Sequence, residues 1–142
     1  MERINFLAWL ITIGGIALFA GIVMVRAYGP GRQAPPFAAA IALVEPERTE
    51  PPEAIACFQT GYAAFQAQRY SQAVDAFTQA LQHSPDFAEA FHNRGRALAN
   101  LNQQPQAVRS LLQACDAYAL NDNPDGLAQV KQDLGRLKGS DA

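Results

Sequence analysis

The chain begins with a long apolar run. Residues 4 to 25 form 22 consecutive positions without a charged side chain. As a helix, the run would extend about 33 Å at roughly 1.5 Å per residue, close to the roughly 30 Å hydrocarbon core of a bilayer. It is longer than the about 7 to 15 apolar residues of a cleaved signal peptide. The pattern therefore predicts a single-pass transmembrane anchor over residues 1–28, in contact with membrane lipid through residues 4–25.

Small residues recur along this predicted anchor. Gly14, Ala17 and Gly21 are spaced so that they share one helix face, where another transmembrane helix is able to approach closely. Glycine is also frequent in membrane helices without such a role, and that interpretation stays open. Two arginines follow the run and one precedes it. This weak bias predicts that the rest of the chain lies on the cytoplasmic side of the membrane.

Residues 29–53 contain six of the nine prolines of the chain. Because proline fixes φ and lacks a backbone donor, this stretch is predicted to be a semi-extended spacer. An apolar stretch from Phe37 to Val44 interrupts it. That stretch is either a short helix on the membrane surface or a segment that folds back onto the following domain, and the sequence leaves both open.

The rest of the chain has the periodicity of amphipathic helices, and residues 54–121 consist of two 34-residue units, 54–87 and 88–121. Four kinds of position recur after 34 residues: Gly61 and Gly95, Ala73 and Ala107, Val74 and Val108, Ala80 and Ala114. Since helix pairs leave an apolar face uncovered, such an array needs a terminal helix with a polar outer side. Residues 122–142 supply a predicted capping helix and tail, with one apolar face: Leu127, Val130, Leu134 and Leu137.

These units resemble the tetratricopeptide repeat (TPR) family. The residues that carry the resemblance are small residues at the eighth, twentieth and twenty-seventh positions of each unit, together with Phe77, Pro85 and the stretch FAEAFHNRGRALANL. Leu111 replaces the usual aromatic residue and Ala119 the usual proline, so the last helix of the second unit is expected to continue. The expected fold class is all-α, with an N-terminal transmembrane helix and a five-helix TPR α-solenoid ending in a capping helix.

In this family the first helix of each unit lines a concave groove, and the resemblance implies a groove for a peptide or helix of a partner protein. The groove positions carried over to this chain are Phe58, Tyr62, Phe65, Glu89, His92, Asn93, Arg96 and Asn100. The resemblance implies that Asn93 contacts a peptide backbone, and a guanidinium at Arg96 is suited to a carboxylate. In an alternative interpretation, the spacer residues around Phe37 cover Phe58 and Phe65.

The composition of the chain mainly excludes classes of function. The formal net charge is −2 and no basic block occurs, so no nucleic-acid partner is expected. The two cysteines and two histidines lack metal-ligand spacing, and no nucleophile stands near a base. We therefore expect no metal, no cofactor and no enzymatic activity.

The pattern as a whole indicates a membrane-anchored protein-interaction module that acts as a scaffold or assembly factor for a membrane complex. In architecture and in the stretch NRGRAL it resembles the anchored TPR proteins of cyanobacteria and plastids that assist photosystem I assembly, which implies a role in photosynthesis at the thylakoid. An alternative is a permanent accessory subunit held mainly by its transmembrane helix. A periplasmic factor of opposite orientation is the third interpretation.

Overall fold

The computed structural model describes residues 34–43 and 50–139. The predicted anchor, with its small residues Gly14, Ala17 and Gly21, lies outside these residues. Among the residues that are described, no helix has the length and apolar character needed to cross a membrane.

Five helices make up the repeat domain, and the described residues contain no strand. They are α1 (Pro52–Gln66), α2 (Tyr70–His83), α3 (Ala88–Asn100), α4 (Gln104–Leu120) and α5 (Pro124–Gly139). Each helix packs against the next in the chain, and α1 also touches α3. The all-α prediction with five helices is confirmed for this part of the chain.

Three of the turns between helices share one geometry. The residues Gln68, Asn102 and Asp122 have φ values of 58°, 59° and 50°. After each, the next backbone N–H donates to a carbonyl five residues back: Arg69 to Ala64, Gln103 to Leu98 and Asn123 to Tyr118, each at 2.9 Å. A left-handed residue followed by this bond closes the end of a helix and lets the chain reverse within three residues.

Glycines allow consecutive helices to approach closely. A β-carbon on Gly61 would lie 2.7 Å from the ring of Phe77, and one on Gly95 would lie 2.8 Å from the side chain of Leu111. These distances are shorter than real side chains tolerate, so α1 and α2, like α3 and α4, meet where a side chain is missing. The two glycines that recur after 34 residues thus have the same role in both units.

The capping helix follows the same principle. A β-carbon on Gly126 of α5 would lie 2.5 Å from the ring of Tyr118 in α4. On the predicted apolar face, Val130 and Leu137 are buried, while Leu127 and Leu134 are half-buried against the core. The predicted face of α5 is therefore confirmed. The predicted continuation of the second unit is confirmed as well, since α4 has 17 residues and α2 has 14.

Replacement of Gly95 by alanine tests the close contact between α3 and α4. Alanine favours a helix over glycine by about 0.5 to 1 kcal/mol, but Leu111 is fully buried and has little room to move. We expect Gly95→Ala to lower the free energy of unfolding by about 1 to 3 kcal/mol. Gly135→Ala is the matched control, because nothing lies within 4 Å of its added β-carbon. Urea unfolding should show opposite signs for the two variants, and a gain in stability for both would contradict the packing argument.

Candidate functional site

Residues 35–43, which we call the docked segment, lie along one face of α3 and form no helix. The segment belongs to the same compact unit as the five helices. Of the two interpretations that the sequence left open for this stretch, the structure shows the one in which it folds back onto the helical domain. Here it makes its contacts through its backbone and through the side chains of Phe37, Ala40 and Leu43.

Two asparagines of α3 hold the backbone of the docked segment. The side chain of Asn100 accepts from the N–H of Phe37 at 3.0 Å and donates to the carbonyl of Phe37 at 2.8 Å. Asn93 makes the same pair of bonds with Ile41, at 2.7 and 2.9 Å. Each amide therefore satisfies both the donor and the acceptor of a single residue. Such bonds recognise the peptide backbone and do not depend on the identity of the side chain.

The spacing of these bonds sets the form of the segment. Asn93 and Asn100 are seven residues apart, which is about 10 Å along a helix axis. The two residues that they hold, Phe37 and Ile41, are four residues apart, and the chain between them is neither helix nor strand and bends at Ala38 and Ala39. Phe37 pairs with the later asparagine and Ile41 with the earlier one, so the docked segment runs antiparallel to α3.

Between the two asparagines, Arg96 makes two further contacts with the segment. One terminal nitrogen of its guanidinium donates to the carbonyl of Ala39 at 3.0 Å. The guanidinium carbon also lies 5.3 Å from the centroid of the Phe37 ring, within the range of a cation–π interaction. Phe37 is 2% exposed and Ala40 is 8% exposed. These two side chains are thus the apolar anchors of the segment.

A buried carboxylate on α5 positions Arg96. One oxygen of Asp133 accepts from Nε of Arg96 at 2.5 Å and lies 2.8 Å from Nε2 of His92. Asp133 is 1% exposed and His92 is fully buried. Burial alone would raise the pKa of Asp133, but the hydrogen bonds from His92 and Arg96 and the charge of Arg96 outweigh it and lower that pKa. The carboxylate is therefore ionised and can only accept hydrogen bonds.

The ionised carboxylate of Asp133 determines which ring nitrogen of His92 carries the proton. Burial lowers the pKa of His92 below its ordinary value of 6.5, with the hydrogen bond to Asp133 acting in the opposite direction. The neutral ring must then donate from Nε2 to Asp133, which leaves Nδ1 as an acceptor. The hydroxyl of Tyr118 lies 3.5 Å from Nδ1. Burial is the first cause of a strongly raised pKa for Tyr118, so its hydroxyl stays protonated and donates to His92.

The predicted groove residues on α1 have other surroundings. Phe58 is 1% exposed, with its ring centroid 5.3 Å from that of Phe77 and 5.1 Å from that of Phe87. Phe65 is equally buried, and its ring meets the ring of Tyr70 edge-on. Both rings thus belong to the core of the domain.

The remaining predicted residues lie nearer the surface. Tyr62 is half-buried, and its hydroxyl accepts a hydrogen bond from the side chain of Gln66 at 3.1 Å. Glu89 is half-buried in the first turn of α3. Of the eight predicted groove residues, the four that the structure brings together around the docked segment and its supporting carboxylate are His92, Asn93, Arg96 and Asn100.

Sequence reasoning missed Asp133. Its signal was present, because Asp133 occupies a position between Val130 and Leu137 on the face of α5 that was predicted to be apolar. A carboxylate at such a position is buried and needs a cationic or donor partner. Within residues 34–43 and 50–139, no group of three or more side chains could hold a metal ion.

The fold and the site define an α-helical repeat domain that holds a peptide backbone on one helix. Residues 61–102 match the family model described as TPR repeat, a stretch that runs from α1 to the turn after α3. The match supports the TPR family for these repeats and their use as a protein-interaction module. No curated protein matches the chain.

The buried histidine should make the domain sensitive to acid. Since the pKa of His92 is lowered by folding, the unfolded chain binds the proton more readily, and stability falls as the pH drops below about 6.5. Asp133 acts in the same direction, but only near and below its ordinary pKa of 3.8. The loss attributable to His92 cannot exceed about 1.4 kcal/mol per pH unit, the value for one proton taken up on unfolding.

Unfolding followed by circular dichroism across this pH range tests the origin of the acid sensitivity. His92→Gln should flatten the pH dependence, whereas His83→Gln, at an exposed position at the end of α2, should leave it unchanged. An identical slope in the wild type and in His92→Gln would show that the acid sensitivity does not come from His92.

Proposed function

We propose that this chain is a scaffold or assembly factor whose α3 face binds a non-helical stretch of a partner protein. The observation that carries the proposal is the two pairs of hydrogen bonds, one pair from Asn93 and one from Asn100, with a peptide backbone. Because the amides bond to backbone atoms, the same face can bind peptides of many sequences. The side chains of α3 around the two asparagines then determine which peptide sequences bind best.

The charge at the site supports a peptide ligand with free carbonyl groups. Arg96 already donates to one carbonyl, and its position is set by the carboxylate of Asp133. Because the hydrogen bond to Asp133 already fixes the Arg96 side chain, the guanidinium loses less conformational entropy on binding than a free arginine would. This favours recognition of a backbone carbonyl or of a carboxylate in the partner.

We further propose that the domain acts at a membrane. The support is the uncharged length of residues 4–25, which suffices to cross a bilayer, with the repeat domain on the cytoplasmic side. In this proposal the anchor places the α3 face beside a membrane complex under assembly. The resemblance to TPR proteins that assist photosystem I assembly supports a more specific form of the same proposal.

The second candidate function is that of a permanent accessory subunit. It is favoured by the small residues Gly14, Ala17 and Gly21, which would allow the anchor to pack closely on a helix of the complex. In that case the transmembrane helix makes the main contact, and the α3 face contributes little to the association.

Photocrosslinking in native membranes separates the two functions. A photoreactive residue at Tyr62, half-buried on α1, should capture a partner protein if the repeat domain recruits it. The capture should be lost in Asn93→Ala and kept in Asn121→Ala, which makes the same change at an exposed turn. If capture occurs only from a photoreactive residue at Ala17, the accessory-subunit function is correct. Equal capture in both asparagine variants would contradict binding on α3.

Extraction tests the anchor separately. We expect the full chain to stay with membranes during washing at alkaline pH, because a spanning helix is released only by detergent. A variant that lacks residues 1–28 should appear in the supernatant. Release of the full chain under the same conditions would show that residues 4–25 do not span the bilayer.

A further inference from the structure

The α3 face proposed as the binding site is occupied by the chain's own residues 35–43. We infer that the docked segment is a tethered competitor, which a partner peptide with the same features displaces. This inference rests on the proposed function, since it assumes that the face has a ligand other than the segment. It adds the chemical class of that ligand and the way in which its access is limited.

The contacts of the segment resemble those of a ligand more than those of a core element. The glycine contacts that unite α1 with α2 and α3 with α4 involve no residue of the segment. Most of the segment is exposed or half-buried, and only Phe37 and Ala40 are buried. Its release would expose the buried side chains of Phe37 and Ala40 and the half-buried side chain of Leu43, while the glycine contacts between the helices would remain.

The face of α3 nevertheless requires an occupant. Asn93 is fully buried, and both polar atoms of its amide bond to Ile41 of the segment. An amide that loses such partners must bond to water or to another backbone, and leaving it unpaired costs about 1 to 3 kcal/mol. A peptide in the same register would provide hydrogen-bond partners for both the Asn93 and the Asn100 amides at once. Water molecules would have to be immobilised separately at each amide to do the same.

The segment shows what such a peptide must provide. At the position of Phe37 it needs an aromatic side chain for Arg96 and a free N–H for Asn100. Two residues later a carbonyl must face Arg96, and one residue after that a small side chain fills the buried position of Ala40. At the position of Ile41 it needs a second free N–H for Asn93. Proline is therefore excluded at the first and fifth positions.

The short connection to α1 makes the segment an effective competitor. Eight residues separate Leu43 from the start of α1 at Pro52. A short linker gives an effective concentration on the order of millimolar, so a free peptide with the same contacts is excluded at ordinary concentrations. A partner must therefore bind more tightly than the segment does.

A labelled peptide tests the inference on the full chain in detergent. The probe is PPFAAAIAL, the sequence of residues 35–43, followed by two lysines for solubility and a fluorescein, and its binding is followed by anisotropy. Ile41→Pro removes the N–H that Asn93 holds and leaves the helices unchanged in sequence. We expect it to bind the probe at least about tenfold more tightly than the wild type does.

Two further variants serve as controls. Ala38→Pro makes the same change at a position whose N–H takes no part in the bonds of Asn93, Arg96 and Asn100, and it should behave like the wild type. Addition of Asn93→Ala to Ile41→Pro should abolish the gain in affinity. Together these results would place the probe in the register of the docked segment.

Other outcomes would overturn the inference. Equal binding by the wild type and by Ile41→Pro would mean that the segment does not compete. No binding by a folded Ile41→Pro, or loss of helix content in both Ile41→Pro and Phe37→Ala, would make the segment a permanent part of the fold. A permanently docked segment would exclude the α3 face as the place where a partner binds, whereas the crosslink from Tyr62 would still test partner binding at the rest of the repeat domain.

Discussion

The close contact of consecutive helices at their glycines determines how α3 is rotated in the domain. Gly95 must face α4, because its missing side chain makes room for Leu111. At roughly 100° per residue, Asn93 and Asn100 lie about 160° and 140° around the helix from Gly95. The packing contact therefore turns these two amides away from α4 and places them on the opposite face. The binding geometry is thus a consequence of the way the repeats pack.

Arg96 joins the site to the end of the array. Its Nε bonds to Asp133 of α5, and a terminal nitrogen of the same guanidinium remains available for the carbonyl of Ala39. A buried carboxylate is costly unless it is hydrogen-bonded, and here both His92 and Arg96 bond to one of its oxygens. The capping helix consequently covers the apolar face of the array and also orients the cation that contacts the docked segment.

Much of this architecture could be predicted from local patterns. The 34-residue period located Gly61 and Gly95, and the family resemblance placed Asn93, Arg96 and Asn100 on a binding face. Helical periodicity is a local property, so five helices could be predicted without knowledge of their contacts. The tertiary contacts were harder to predict. Asp133 lies 41 residues from His92, and no local pattern links the two.

The docked segment was beyond reliable prediction for a different physical reason. Asn93 and Asn100 hold backbone atoms, which every residue except proline offers, so residues 35–43 carry no distinctive pattern that marks them as the occupant. The apolar side chains of Phe37 and Ile41 suggested only that the stretch would avoid water. Whether it met a bilayer or the repeats depended on the position of α3, which only the folded domain defines.

The tether also sets a threshold for any protein that uses this face. At an effective concentration of about 1 mM, the segment outcompetes an equivalent free peptide present at about 10 μM by roughly 100 to 1. A partner at that concentration needs about 2.7 kcal/mol of additional binding free energy to reach half occupancy. Contacts beyond the register of Phe37 to Ile41 would supply it. The docked segment thus makes the face selective, because it outcompetes any peptide that makes only the same backbone contacts as the segment does.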